Sequence, residues 1–70
     1  MKERVIETFE SVIREAEKRI TAGYSVHDEV VYVYGYMMGV CDIVSINIGQ
    51  EITERYDEWH ESIYDRFGIR

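Results

Sequence analysis

The sequence contains no proline and only one cysteine, Cys41, and these shortages limit the class of protein. A single cysteine cannot form an internal disulfide, and no cluster of cysteines and histidines offers a structural zinc site. Because linkers, low-complexity tracts and internal repeats are also missing, residues 1–70 are interpreted as one domain. A domain of this size has a marginal core, and association with a second chain is the remaining source of stability.

Positive charge is also scarce, since 8 Lys and Arg residues are outnumbered by 14 Asp and Glu residues and the net charge is -6. Nucleic-acid backbones are bound by basic side chains that neutralise phosphates, so direct nucleic-acid binding is not expected. A partner with a basic surface is the more natural expectation. The first residues contain no apolar run typical of a signal peptide, and a lone thiol suits a reducing compartment, so a cytoplasmic location is expected.

Apolar periodicity predicts an all-α fold that begins with an amphipathic helix. In the first twenty residues, apolar side chains recur at steps of three and four, while charged side chains occupy the other face. Gly23 suits the end of this helix, and Ser25 with Asp28 three positions later has the pattern of a capping box at the start of the next. The apolar stripe consists of Val5, Ile6, Phe9, Val12, Ile13, Ala16 and Ile20.

The segment Val30–Ile48 is apolar nearly all round and is predicted to be a second helix. Its β-branched residues make a strand at Val30–Tyr34 a competitor, but neither flank alternates as a pairing strand would. One stripe, expected to contact the first helix, comprises Val30, Val33, Met37, Cys41, Val44 and Ile48. The opposite stripe comprises Gly35, Gly39, Asp42 and Ile46, flanked by Tyr32 and Tyr36.

Two glycines four positions apart suggest that another backbone approaches this helix closely. Together they lower its helix propensity by about 2 kcal/mol, which close packing would offset. A helix covered on both faces is the centre of a bundle or the heart of a dimer. A homodimer is therefore expected, with self-association through Tyr32, Gly35, Tyr36, Gly39 and Asp42. For Asp42 three roles stay open: a solvated carboxylate, an ion-pair partner across an interface, or a functional acid.

Membrane insertion of Val30–Ile48 is the competing interpretation, because its nineteen residues are long enough to span a bilayer. Asp42, Asn47 and the tyrosines inside the segment would be costly in lipid. The amphipathic neighbours would also lose the partner for their apolar faces. No membrane association is therefore expected.

A third helix is predicted over Gln50–Phe67, with Ile52, Tyr56, Trp59, Ile63 and Phe67 on one face. Asn47, Gly49 and Thr53 each carry break or cap signals, so either a tight turn or only a kink separates it from the second helix. The fold is accordingly a small three-helix bundle or a helical hairpin with a long central helix. Gly68 followed by Ile69 fits a C-terminal cap.

Acidic residues form a continuous row on the outer face of the third helix. Like charges at helical spacing destabilise the helix that carries them, whereas on the first helix acids and bases balance, with pairs such as Glu10 with Arg14 and Glu15 with Arg19. Only Arg55, within the row, and Arg66, at its end, supply positive charge that offsets this repulsion. The acidic row consists of Glu51, Glu54, Glu58, Glu61 and Asp65, with Asp57 beside it.

Three interpretations of the acidic row remain open: a solvated face that keeps the chain soluble, a binding surface that imitates nucleic-acid phosphates, or a divalent-metal site at Glu54, Glu58 and Glu61. The metal site is the weakest, because metal ligands converge on a point and do not lie in a line.

Catalytic patterns are not apparent. His27 and His60 share no motif, and Cys41 falls on the apolar stripe without a neighbouring base. No glycine pattern resembles a phosphate-binding loop, and no serine or threonine has the setting of an activated nucleophile. We therefore expect neither an enzyme nor a protein that needs a cofactor or a metal.

Two segments, Gly35–Val40 and Ile52–Trp59, together resemble short acidic helical proteins encoded by phages and mobile elements of Gram-positive bacteria. Some such proteins are anti-CRISPRs or other inhibitors of host defence. The resemblance implies a small inhibitor that binds a basic nucleic-acid-handling protein of the host, such as a nuclease or a CRISPR effector. The alternative is a structural or regulatory protein that acts by helix-mediated self-association.

Overall fold

The computed structural model describes residues 2–68, which form three α-helices joined by short turns. The helices are α1 (Lys2–Thr21), α2 (Val26–Cys41) and α3 (Ile46–Arg66), and each packs against the other two. Residues 2–68 contain no strand, so the predicted all-α class is confirmed. The chain is a three-helix bundle and not a hairpin with one long central helix.

The turn between α1 and α2 follows the predicted cap signals. Gly23 adopts a φ of 104°, and the Tyr24 N–H donates a 2.9 Å hydrogen bond to the Arg19 carbonyl, which closes the last turn of α1. Two residues later, the Ser25 hydroxyl accepts a hydrogen bond of 3.2 Å from the Asp28 N–H. Gly23 therefore ends α1 and Ser25 caps the start of α2, as the sequence predicted.

The break between α2 and α3 lies earlier than predicted. α2 ends at Cys41, and the Ser45 hydroxyl accepts a hydrogen bond of 3.4 Å from the Ile48 N–H as the N-cap of α3. The prediction that one helix runs through Val30–Ile48 is therefore wrong, since Val44 lies in the turn and Ile48 belongs to α3. A serine that satisfies free amide groups stabilises a new helix start, and the break lets α3 fold back on the bundle.

The core lies where the inner faces of the three helices meet. Phe9, Val33, Ile52 and Ile63 are fully buried within it. The predicted faces of α1 and α3 are largely confirmed, but Phe67 is 45% exposed because it follows the end of α3. The other buried apolar residues are Ile6, Ala16, Ile20, Val30, Met37, Tyr56 and Trp59.

Ion pairs between helices replace pairs that were expected within α1. The Arg19 guanidinium lies 2.7 Å from Glu29, a carboxylate of α2 that is only 8% exposed. Glu10 is bound by Arg55 of α3 at 3.1 Å, where a pair with Arg14 was predicted. The hydrogen bond from Arg19 to Glu29 raises the pKa of the arginine above its ordinary value. Folding thus gives Arg19 and Glu10 partners on other helices, whereas Glu15 pairs within α1 with Lys18 at 3.5 Å. A pair within one helix contributes only a few tenths of a kcal/mol.

Candidate functional site

The outer side of α3 carries exposed carboxylates, as predicted. They lie on the side of the helix opposite Ile52 and Ile63, which are fully buried. From first to last they extend along roughly 16 Å of helix, at 1.5 Å per residue. We call this surface the acidic face, and it comprises Glu54, Asp57, Glu58, Glu61 and Asp65.

Both arginines of α3 contact carboxylates of α1. Arg55 Nη1 lies 3.1 Å from Glu10, and Arg66 Nη2 lies 3.3 Å from Glu17. Arg55 Nη2 also lies 3.3 Å from Glu51, at the edge of the row. The helix that carries the acidic face therefore directs its own positive charges toward α1.

Glu51 differs from the rest of the predicted row. Its carboxylate lies 3.2 Å from the Lys2 amine and also pairs with Arg55. The hydrogen bond from Lys2, assisted by the hydrogen bond from Arg55 and by the charges of both groups, lowers the pKa of Glu51 below its ordinary value although partial burial opposes the shift. Glu51 ties α3 to the start of α1, and we place it outside the acidic face.

A second surface is formed by the exposed side of α2. At its edges, Tyr32 lies beside Arg19 of α1 and the Tyr34 ring lies 5.7 Å from the Tyr56 ring of α3. Gly35 and Gly39 are exposed, and beyond the adjoining backbone of α2 a Cβ atom built at either position would meet nothing within 4 Å. From Val30 to Cys41 the helix carries no charged residue, and Val31 and Tyr32 are each 54% exposed. We call this surface the outer α2 face, and it comprises Val31, Tyr32, Tyr34, Gly35, Met38 and Gly39.

The residues predicted for self-association do not all lie on one surface. Tyr36 is partly buried and stacks on Phe9 with ring centroids 6.2 Å apart, so it belongs to the edge of the core. Tyr32 lies under the Arg19 guanidinium, 5.4 Å from ring centroid to cation. Asp42 is exposed at the C-terminal end of α2. Gly35, Gly39 and Asp42, with Tyr32 at their flank, are therefore the predicted set that reaches solvent together.

Cys41 and the histidines, for which the sequence showed no catalytic pattern, lie in separate places. The Cys41 thiol is 3.7 Å from the Gly49 carbonyl and 3.9 Å from the Thr53 hydroxyl. His60 stacks on Tyr64 at 4.4 Å between ring centroids. Across residues 2–68 no group of three or more His, Cys, Asp and Glu side chains is arranged to hold a metal ion.

Several features that matter here were missed by the sequence reasoning. Ser45 could have been identified as a cap, because serine immediately before the apolar Ile46 is a helix-start pattern. The pairs of Lys2 with Glu51 and of Arg19 with Glu29 had no signal in the sequence, since each depends on how the helices pack.

Within the described part of the chain, no helix is long and apolar enough to cross a membrane.

The chain was compared with protein families, curated proteins and solved structures, and a function has to be argued from the acidic face and the outer α2 face. No protein-family model, no curated protein and no solved structure matches the chain.

Proposed function

We propose that the chain is a small cytoplasmic protein-binding inhibitor whose acidic face docks on the basic surface of a nucleic-acid-handling protein. It acts by occupying that surface and not by catalysis. The observation that supports this function is the single sign of charge on the outer side of α3. Glu54, Asp57, Glu58 and Glu61 are exposed there, while Arg55 and Arg66 are engaged with α1.

The proposed mechanism is competition for a cationic site. A row of carboxylates on a rigid helix presents negative charge at regular spacing, as a phosphate backbone does. Nucleic-acid-binding surfaces gain affinity from lysines and arginines that neutralise phosphates, and the same side chains attract carboxylates. Long-range attraction also speeds the encounter and weakens as ionic strength rises. An inhibitor of this kind therefore loses affinity in high salt.

The decisive experiment compares three forms of the protein as bait in a bacterial lysate. One is the wild type, and the second carries Glu54→Lys, Glu58→Lys and Glu61→Lys on the acidic face. The third is a matched control with the same change in net charge on α1, at exposed positions of the first helix: Glu3→Lys, Glu7→Lys and Glu15→Lys. Captured proteins are identified by mass spectrometry and then tested for nucleic-acid binding with and without the inhibitor.

We expect the wild type and the α1 control to retain the same nucleic-acid-binding protein and to compete with its nucleic acid. The acidic-face variant should retain none of it. If the acidic-face variant captures the partner as well as the wild type, or if the captured protein binds nucleic acid equally well in the presence of the wild type, the proposed function is wrong.

A second candidate function is self-association without inhibition, as in a structural or regulatory assembly protein. The observation that favours it is the outer α2 face, where Val31, Tyr32, Tyr34 and Met38 are each about half exposed and no charge intervenes. A homodimer would cover these side chains. The two candidates use different helices, so the variants on α3 do not affect the second one.

A further inference from the structure

Two acidic residues at the ends of the outer α2 face lie at equal distances from its centre. Asp28 lies in the first turn of α2 and Asp42 caps its C-terminal end. Gly35 lies seven residues from each. Between the two carboxylates the surface is uncharged. A two-fold interface uses the same patch on both subunits, and the residue on the axis meets its own copy. A glycine at that point, with larger side chains on both sides, suits such an axis.

We propose that the outer α2 face binds a second copy of the chain, with the two α2 helices antiparallel and Gly35 at the two-fold axis. The inference rests on the self-association candidate and gives it a partner, a surface and an orientation. It is independent of the partner proposed for the acidic face.

The size of the surface agrees with a second copy as the occupant. The exposed apolar side chains of the outer α2 face, together with Ile43, which is 82% exposed just beyond the end of α2, present on the order of 600 Å² per chain. If both faces were covered completely, two copies would bury about 1,200 Å², the lower end of the range of about 1,200–2,000 Å² for specific interfaces. The apolar area buried between the two chains would add stability to a core that is small because the domain is small.

The two glycines give the backbones room to approach. Neither Gly35 nor Gly39 contacts anything within its own chain at the position of a Cβ atom, so their small size serves no packing inside the bundle. Glycine inside a helix lowers its stability, and an interface that needs close approach explains why it occurs twice.

The orientation follows from the charges at the ends of α2. A parallel pair would bring each Asp42 beside the C-terminal end of the other helix, where the carbonyl groups carry partial negative charge. An antiparallel pair instead places each Asp42 beside the N-terminal turn of the other α2, where free amide groups favour an anion. His27 lies in that same turn. In an antiparallel pair each Asp42 lies near Asp28 of the other chain, and in a parallel pair each carboxylate lies near its own copy. Because carboxylates approach one another in both orientations, the partial charges at the helix ends decide between the two.

The first part of the test measures mass in solution by sedimentation equilibrium over a range of concentrations. The wild type should approach twice the 8.3 kDa of one chain. Gly35→Glu should remain monomeric at the same concentrations, while its circular dichroism shows a folded helical protein, because glutamate is a better helix former than glycine and position 35 is open. Gln50→Glu, which adds the same charge at an exposed position of α3, should dimerise like the wild type.

The second part tests the orientation by oxidation of single cysteines in a Cys41→Ser background. Gly35→Cys should form a disulfide-linked dimer rapidly. Asp42→Cys should not, because seven residues on each side of the axis separate the two copies by about 21 Å, while a disulfide needs Cα atoms within about 7 Å.

Each result decides one part of the proposal. A wild type that stays monomeric, or a Gly35→Glu variant that dimerises like the wild type, overturns the interface and the self-association candidate with it. A dimer in which Asp42→Cys cross-links as fast as Gly35→Cys overturns the antiparallel orientation alone. Neither result bears on the capture experiment with the acidic face, so the two proposals can fail separately.

Discussion

The indole Nε1 of Trp59 donates a hydrogen bond of 2.9 Å to the carboxylate of Glu17, which joins the middle of α3 to α1. The same carboxylate oxygen lies 3.3 Å from the Arg66 guanidinium, about two helical turns further along α3. Trp59 is only 7% exposed, so its N–H has little access to water as a substitute partner. One carboxylate of α1 therefore fixes two side chains of α3.

Replacing Trp59 by phenylalanine should lower the free energy of unfolding by about 1–3 kcal/mol, because it removes the indole donor and part of the buried volume. Urea unfolding followed by circular dichroism measures the change. Glu17→Gln is the matched control, since the amide oxygen still accepts from the indole, and its effect should be smaller. Equal losses in the two variants would contradict this expectation, because the charge of Glu17 would then contribute as much as the indole donor and the buried volume together.

Ser45→Ala should destabilise the protein by about 1 kcal/mol, because the Ser45 hydroxyl caps the first turn of α3. The same substitution at Ser62, which is exposed within α3, should be neutral or slightly stabilising, since alanine is the better helix former. Thermal unfolding of both variants at one concentration provides the comparison. A Ser45→Ala protein as stable as the wild type would show that the cap adds nothing to the start of α3.

Glycine-to-alanine substitution should have opposite effects at two positions. Gly23 has a φ of 104°, which alanine adopts only with strain, so Gly23→Ala should destabilise the bundle by about 1 kcal/mol. Gly35 lies inside α2 with open space around it, so Gly35→Ala should stabilise the isolated chain by about 0.5–1 kcal/mol. Unfolding midpoints of dilute, monomeric samples give the comparison, and changes of the same sign would contradict it.

Acid should weaken the junction at Glu51. Because the pKa of Glu51 is lower in the folded than in the unfolded chain, this carboxylate contributes stability above its unfolded pKa of about 4.3, and the contribution is lost as the pH falls through the folded pKa. The wild type should therefore lose more stability than Glu51→Gln between about pH 5 and pH 3. Unfolding midpoints across that range test the difference, and parallel curves for the two proteins would refute it.

The sequence predicted the parts of the fold that depend on local chemistry. Gly23 and Ser25 were identified as stop and start because one tolerates a positive φ and the other offers a capping oxygen. The buried faces of α1 and α3 followed from apolar side chains at helical spacing, as Phe9, Ile52 and Ile63 illustrate. The position of the carboxylates on the outer side of α3 followed from the same spacing.

Features that depend on the packing of one helix against another were out of reach. In the apolar segment after Val30, periodicity fits a continuous helix as well as a broken one, and Ser45 was overlooked as the cap that decides the matter. Ion pairs such as Arg19 with Glu29 join residues whose proximity arises only on folding. Tyr36 was assigned to an outer surface although its ring stacks on Phe9, because a residue at the flank of a helix can turn to either side.

The uneven distribution of charge along the chain makes the molecule an electric dipole. α1 carries five acidic and five basic residues, whereas α3 carries six acidic and two basic residues. Near a cationic surface, the molecule rotates so that α3 leads before any contact is made, over distances of about 8 Å at physiological ionic strength. Near another copy of itself the same field acts in the opposite way, and the two molecules turn their α3 helices apart. Pairing two chains would thus leave both acidic faces turned outward and available at once.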